Sequence, residues 1–357
     1  MSRTYLILIA SSVLLAACTH IGPKTVPQDR FDYNSAVADS WKEQTLLNIV
    51  KLRYADMPVF LEVASIVSGY TLESSVNLGG TVSSEKAVQG DFVSLGAAGK
   101  YTDRPTITYA PITGSDFNKS FMTPVPPSGV LFMLQAGWPA EIILPLTLES
   151  INGLRASKSA GAGQRLGDTD YYRVIEIVQL LQRSRAIGMR VLGGESGDQT
   201  TVLVIRRNDV SPEVLAAQDE LARLLGIRRG AQEYTVAYGE IAKSDTELAI
   251  LTRSMLSMLI ELAALVSVPE EDVAEGRTLP SLAETLAPDD IRRLITIEHS
   301  KEKPKDAFVS ARYKDHWFSI SDRDFESKRI FAYLMLLFSL TESGGKEGLP
   351  LVTIPAG

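Results

Sequence analysis

Two segments with alternating side-chain character constrain this chain more than any other feature of its sequence. Residues 71–82 and 92–101 each place apolar or small side chains at every second position, and polar ones between them in the first. Period two is typical of a β-strand, whose successive side chains point to opposite faces. A polar connector, Ser83-Ser84-Glu85-Lys86, follows the first segment. The sequence therefore predicts a long β-hairpin over about residues 71–101.

The hairpin lies in a part of the chain that is poor in charge. Residues 55–151 contain 13 charged side chains among 97 residues, or about 13%, whereas the whole chain has 22%. Such a stretch avoids water, either inside the fold or against another surface.

Composition excludes several classes of protein. The 357 residues are 45% apolar, which is ordinary for a folded chain and unlike a disordered segment, a coiled-coil rod or a polytopic membrane protein. A formal charge of −7 argues against a nucleic-acid partner, since nucleic-acid-binding domains usually carry a basic surplus.

The N-terminus has the order of a secretory signal: Arg3, a short apolar segment, then small residues. The tetrad Leu15-Ala16-Ala17-Cys18 resembles a bacterial lipobox. The resemblance implies that Cys18, the only cysteine, is acylated and becomes the first residue of the mature chain. Thr19, in place of an aspartate, implies outer-membrane sorting. An ordinary secretory signal that happens to end in a cysteine is the alternative.

We predict five segments: a signal peptide (1–17), a tether (18–30), an N-terminal α+β region with the hairpin (31–154), a Gly/Ser linker (155–167) and a C-terminal α+β region (168–357). Predicted helices include 33–54, 129–136, 212–225, 254–268 and a final helix that is apolar on every side over 330–340. Predicted strands include 105–109, 189–192, 200–206, 234–241, 291–297, 307–313 and 316–320. The run 142–148 fits either a strand or a buried helix.

No motif in the sequence predicts a cofactor, a metal or a catalytic residue. His20 lies in the tether, and His299 and His316 fall in strand contexts that show no metal-ligand spacing. Gly194-Glu195-Ser196-Gly197-Asp198 departs from the nucleophile elbow of serine hydrolases and is interpreted as a hairpin turn. The glycine runs 161–167 and 344–345 depart from the nucleotide-binding motifs, and Asp322 and Asp324 are interpreted as residues at the start of the final helix.

Several segments resemble a family of Gram-negative lipoproteins without an established activity. They are Ser40–Gln44 with Leu46–Tyr54, Arg104–Tyr109, Leu134–Pro139, and Asp322–Asp324 with Glu326–Arg329. The resemblance spans most of the mature chain and implies no catalytic residue.

The leading hypothesis is a lipid-anchored outer-membrane protein, facing the periplasm, that binds other envelope components without catalysis and has no nucleic-acid partner. One alternative is a subunit of an oligomeric export channel, in which each copy contributes its hairpin. A second alternative is a periplasmic hydrolase that works through carboxylates.

Overall fold

The computed structural model describes residues 22–67, 70–81, 92–159, 165–193, 199–280, 294–341 and 352–355. The helices are α1 Gly22–Arg53, α2 Ser115–Met122, α3 Pro127–Gln135, α4 Ala140–Thr147, α5 Thr169–Arg183, α6 Pro212–Leu225, α7 Met255–Ala264, α8 Glu270–Ala274 and α9 Phe325–Thr341. The strands are β1 Leu61–Val67, β2 Tyr70–Thr81, β3 Phe92–Asp103, β4 Thr106–Pro111, β5 Leu148–Ile151, β6 Leu154–Arg155, β7 Ile187–Gly193, β8 Gln199–Ile205, β9 Glu233–Tyr238, β10 Glu247–Thr252, β11 Glu298–Ser300, β12 Ala307–Tyr313, β13 His316–Ser321 and β14 Val352–Pro355. The predicted α+β class with a long hairpin in the first half is confirmed.

The chain divides into two compact units that interleave along the sequence. Unit 1 comprises residues 1–40, 61–112 and 348–357, and unit 2 comprises residues 41–60 and 113–347. In unit 1, β1, β4 and β14 form an antiparallel sheet in the order β1-β4-β14, and β2 and β3 form a separate two-stranded ribbon.

Unit 2 contains two sheets. The larger has the order β6-β5-β10-β9-β8-β7, in which only β9 and β10 are parallel neighbours. The smaller is antiparallel, with β13 between β11 and β12. Helix α5 is amphipathic and contacts α4, α6 and β7. Its apolar stripe is buried: Tyr171, Val174, Ile175, Ile177, Val178 and Leu181.

Four aromatic rings of unit 2 pack together at α9. Two of them, Trp41 and Phe60, are the first and last residues of the segment 41–60. Phe338 of α9 lies 4.5 Å from Phe60 and 6.4 Å from Trp41 between ring centroids, and Phe60 lies 5.8 Å from Phe121. Apart from Ala332, the residues of 330–338 are buried or half-buried. An apolar run over 330–340 predicts burial all round, and this is confirmed for 330–339 except at Ala332, which is exposed.

The division into units does not follow the predicted boundary, because residues on both sides of 155–167 belong to unit 2. Buried charges hold the described part of this segment in place. The Arg253 guanidinium donates to the Ser157 carbonyl at 3.1 Å, and the Glu261 carboxylate accepts from the Ser159 backbone N–H at 2.7 Å. This glycine- and serine-rich segment is therefore a loop held against the core, because its described backbone groups have hydrogen-bond partners there.

Some element bounds also differ from prediction, and the open assignment of the run 142–148 is resolved. Helix α1 begins at Gly22, so residues 22–30 of the predicted tether are helical. The run 142–148 resolves into the end of α4 followed by β5. Residues 291–293 of the strand predicted at 291–297 lie outside the described residues; the described remainder forms one isolated bridge, from Ile297 to Val266, and strand β11 follows at Glu298–Ser300, paired with β13.

Candidate functional site

The candidate site is the ribbon formed by β2 and β3. Its strands pair antiparallel over twelve consecutive residue pairs, from Tyr70↔Asp103 to Thr81↔Phe92, with no bulge. Within the described residues, each of these strands pairs only with the other. The outer edge of each strand therefore presents backbone N–H and C=O groups that this ribbon does not pair.

The register places the two alternating patterns on the same face. Directly paired residues share a face, so Val76 joins Ala97 and Leu78 joins Leu95. We call this side the apolar face; its positions are Leu72, Ser74, Val76, Leu78, Gly80, Val93, Leu95, Ala97, Gly99 and Tyr101. A shift of one residue in register would have placed the two patterns on opposite sides.

The opposite side, which we call the polar face, is exposed wherever its residues are described. Glu73, Ser75 and Asn77 of β2 and Gly96, Ala98 and Lys100 of β3 are all exposed. Glu73 is paired with Lys100, so opposite charges stand directly across the ribbon. The ribbon thus has one apolar and one hydrophilic face, which is the arrangement of a strand pair that separates two environments.

Two histidines of unit 2 lie in strands as predicted, His299 in β11 and His316 in β13, and they come close together, which their spacing in the sequence does not predict. The ring centroids of His299 and His316 lie 5.9 Å apart. His299 pairs with Phe318 across β11 and β13, which makes His316 a diagonal neighbour on the same face. The sequence gives no local signal for this meeting, because it depends on which distant strands pair.

The histidine pair has further polar neighbours. The Ser267 hydroxyl lies 3.0 Å from His299 Nδ1, and the Glu271 carboxylate lies 3.4 Å from His316 Nε2. His316 is buried and His299 is half-buried. Within the described ranges, no three histidine, aspartate, glutamate or cysteine side chains converge as metal ligands.

A buried carboxylate of α8, Asp272, is hydrogen-bonded to Tyr54, which directly follows α1. The Tyr54 hydroxyl donates to Asp272 Oδ2 at 2.6 Å, and Arg277 donates to Asp272 Oδ1 at 2.9 Å. Burial favours a higher pKa for the Asp272 carboxyl, but these two hydrogen bonds and the positive charges of Arg277 and Lys314 together outweigh it, and its pKa is lowered. Burial and the hydrogen bond to Asp272 raise the pKa of Tyr54 far above its usual value. Tyr54, Asp272 and Arg277 thus form a satisfied structural network.

The acids at the start of α9 also have structural roles. Asp324 accepts from the Ser327 backbone N–H at 3.0 Å, and the Ser327 hydroxyl donates to it at 2.6 Å, so Asp324 caps the helix as predicted. Asp322 forms an ion pair with Lys328 at 2.7 Å. These contacts give no support to the predicted hydrolase alternative.

A cavity between α3, α5 and the larger sheet is lined by apolar side chains and by Tyr171. The Tyr171 hydroxyl contacts the Leu144 and Leu148 carbonyls at 3.3 and 3.4 Å. Ligand pockets usually combine apolar walls with a few convergent polar groups that orient the ligand. This cavity offers none and is interpreted as part of the core.

No family model, no curated protein and no solved structure matches this chain. The resemblances to a lipobox and to a lipoprotein family therefore stay predictions. Cys18, His20 and the runs 194–198 and 344–345 lie outside the described residues, as do residues 161–164 of the 161–167 run. None of the described helices combines the length and the apolar character needed to cross a bilayer.

Proposed function

We propose that this chain is a lipid-anchored component of the outer membrane, facing the periplasm, that acts in envelope assembly by binding through its β2–β3 ribbon. The ribbon carries the proposal: twelve uninterrupted residue pairs with an apolar and a polar face, and no third strand among the described residues. A two-stranded ribbon is marginally stable in water without something to cover it. A partner surface supplies that cover.

The lipid anchor is the second part of the proposal. The lipobox-like tetrad ends at Cys18, and acylation there would hold the chain beside the membrane. Growth with labelled palmitate should mark the wild-type chain and leave a C18A variant unmarked. An unmarked wild-type chain recovered free in the periplasm would remove this part of the proposal.

The binding role is tested by site-specific photo-cross-linking in intact cells. A photoreactive amino acid replaces Ser75 or Ala98 on the ribbon, or Arg223 on α6 as the control; all three positions are exposed. We expect discrete high-mass adducts from the two ribbon positions and none from Arg223. Adducts of equal pattern and yield from all three positions, or no adduct from the ribbon, would overturn the proposal.

A further inference from the structure

We infer that the ribbon crosses the outer membrane as one hairpin in a ring of copies of this chain, joined strand edge to strand edge. This inference rests on the proposed function and names the two surfaces that the ribbon meets. Lipid covers the apolar face, and a second copy covers each edge.

The distribution of charge along the ribbon supports a membrane-crossing segment. Ser74–Thr81 and Phe92–Gly99 contain no charged residue, and they pair with each other over eight consecutive pairs. At about 3.4 Å per residue this span is roughly 27 Å long, or about 21 Å of depth at a tilt near 40°. The apolar band of outer-membrane strands is about 25 Å tall. The uncharged part of the ribbon therefore covers most of the thickness that it would cross, and falls a few ångströms short of it.

One end of the uncharged span carries the residues expected at a membrane interface, with an aromatic residue on the apolar face. Glu73 and Lys100 form the first charged pair at one end, with Tyr101 next to it. At the other end Phe92 pairs with Thr81, and both positions belong to the polar face. Aromatic side chains are enriched at both boundaries of outer-membrane strands, and charges are costly at the centre of the bilayer.

A second copy satisfies the edges, which lipid cannot do. In hydrocarbon every backbone N–H and C=O needs a partner, so an open ribbon cannot enter by itself. When β2 of one copy lies beside β3 of the next, the antiparallel pattern continues and all copies keep the same orientation. Such a head-to-tail contact is heterologous and closes into a ring.

Charge along the two strands fits the same arrangement. The only charged residue of β2 is Glu73, whereas β3 carries Lys100 at the paired level. A head-to-tail contact brings Glu73 toward the Lys100 of a second copy, with opposite charges. An antiparallel contact between two β2 strands would instead point the two copies in opposite directions, which anchors in one leaflet forbid.

Introduced cysteines test contact with lipid. Cys18 is the only cysteine, so once it is acylated each introduced cysteine is the only free thiol. V76C and L78C report the apolar face, and S75C and N77C are matched controls on the polar face. Each full-length, lipidated variant is labelled with an environment-sensitive fluorophore and reconstituted in vesicles containing nitroxide-labelled lipid. We expect about twofold or greater quenching at 76 and 78 and little at 75 and 77, since faces alternate.

Disulfide formation between chains tests the edges. Chains carrying E73C and chains carrying K100C, with tags of different size, are produced together and oxidised. Paired positions on adjacent strands are close enough for a disulfide. We expect a mixed dimer of the two tagged chains. Homodimers through residue 73, or no dimer of either kind, would overturn the head-to-tail arrangement.

The outcomes separate this inference from the proposed function. If Ser75 still cross-links in cells but lipid does not quench positions 76 and 78, the ribbon binds a protein, and the membrane-crossing inference is wrong. If neither cross-linking nor quenching occurs, both proposals fail. Far-UV circular dichroism of every variant must match the wild-type chain, and the photo-cross-linking readout does not depend on any cysteine substitution.

Discussion

Two buried tyrosines place the same hydroxyl group in different environments. The Tyr54 hydroxyl donates to the buried Asp272, whereas the Tyr333 hydroxyl is buried without a hydrogen-bond partner among the described residues. We predict that Y54F lowers the free energy of unfolding by about 1–3 kcal/mol, because Asp272 loses a donor. We predict that Y333F raises it by about 0.5–2 kcal/mol, because a desolvated hydroxyl is removed.

Urea unfolding of the full chain, followed by circular dichroism, measures both variants. Each substitution removes one oxygen atom and keeps the ring, so each variant is a control for the other. A loss of stability in Y333F would mean that its hydroxyl has a partner that the structure does not show.

Asp272 also predicts a dependence on pH. Folding lowers the pKa of its carboxyl, so the folded state binds fewer protons than the unfolded state. The stabilisation is therefore present above the unfolded pKa of about 3.9 and is lost as the pH falls through the folded pKa. We expect the difference in unfolding free energy between wild type and D272N to be constant from about pH 6 to 8 and to shrink below about pH 4.

Urea unfolding at several pH values measures this difference. D315N, at an exposed turn position, is the control for the loss of one negative charge. A difference that grew as the pH fell would contradict the assigned role of Asp272.

Residue roles set by neighbouring positions could be predicted, and roles set by distant contacts could not. The cap at Asp324 follows from its place three residues before Ser327, so the sequence predicts it. Asp272 and Tyr54 are 218 residues apart, and no local pattern joins them. The meeting of His299 with His316 likewise depends on strand pairing.

Both ends of helix α6 are specified by local sequence. The Ser211 hydroxyl accepts from the Val214 backbone N–H at 3.3 Å, Pro212 follows in the first turn, and Gly226 ends the helix with a φ of 63°. We predict that S211A lowers the free energy of unfolding by about 0.5–2 kcal/mol and that S211N keeps it near wild type, because asparagine also caps. Equal losses in the two variants would show that the cap contributes little. Urea unfolding distinguishes these outcomes.

The elements that the sequence predicts are those with strong local signals. The hairpin follows from period two, and α6 follows from its caps. By contrast, the sequence leaves 142–148 open, since a short apolar run containing Pro145 fits a strand or a helix end. No local pattern in the sequence predicts strands β1 and β10. Their pairing with β4, and with β5 and β9, is what identifies them as strands.

At the scale of the molecule, the division into units depends on contacts that composition does not encode. The sequence suggests two consecutive halves, because glycine and serine cluster at 155–167. The structure instead gathers residues 1–40, 61–112 and 348–357 into one unit. A cluster of glycine and serine indicates that a segment is flexible when it is unfolded. Buried partners such as Arg253 and Glu261 can still hold that segment in one conformation in the folded protein.

The lipid anchor and the ribbon could each attach the whole molecule to the membrane, and their contributions can be measured separately. We replace residues 1–18 by a signal peptide that is fully removed, which yields a secreted chain without acyl groups. If the ribbon crosses the bilayer, this chain stays in the membrane fraction after a carbonate wash. V76D should then release it, because a charge on the apolar face is costly in hydrocarbon, whereas S75D on the exposed polar face should not. Release of the chain with the native ribbon would leave the lipid on Cys18 as the attachment and would contradict insertion.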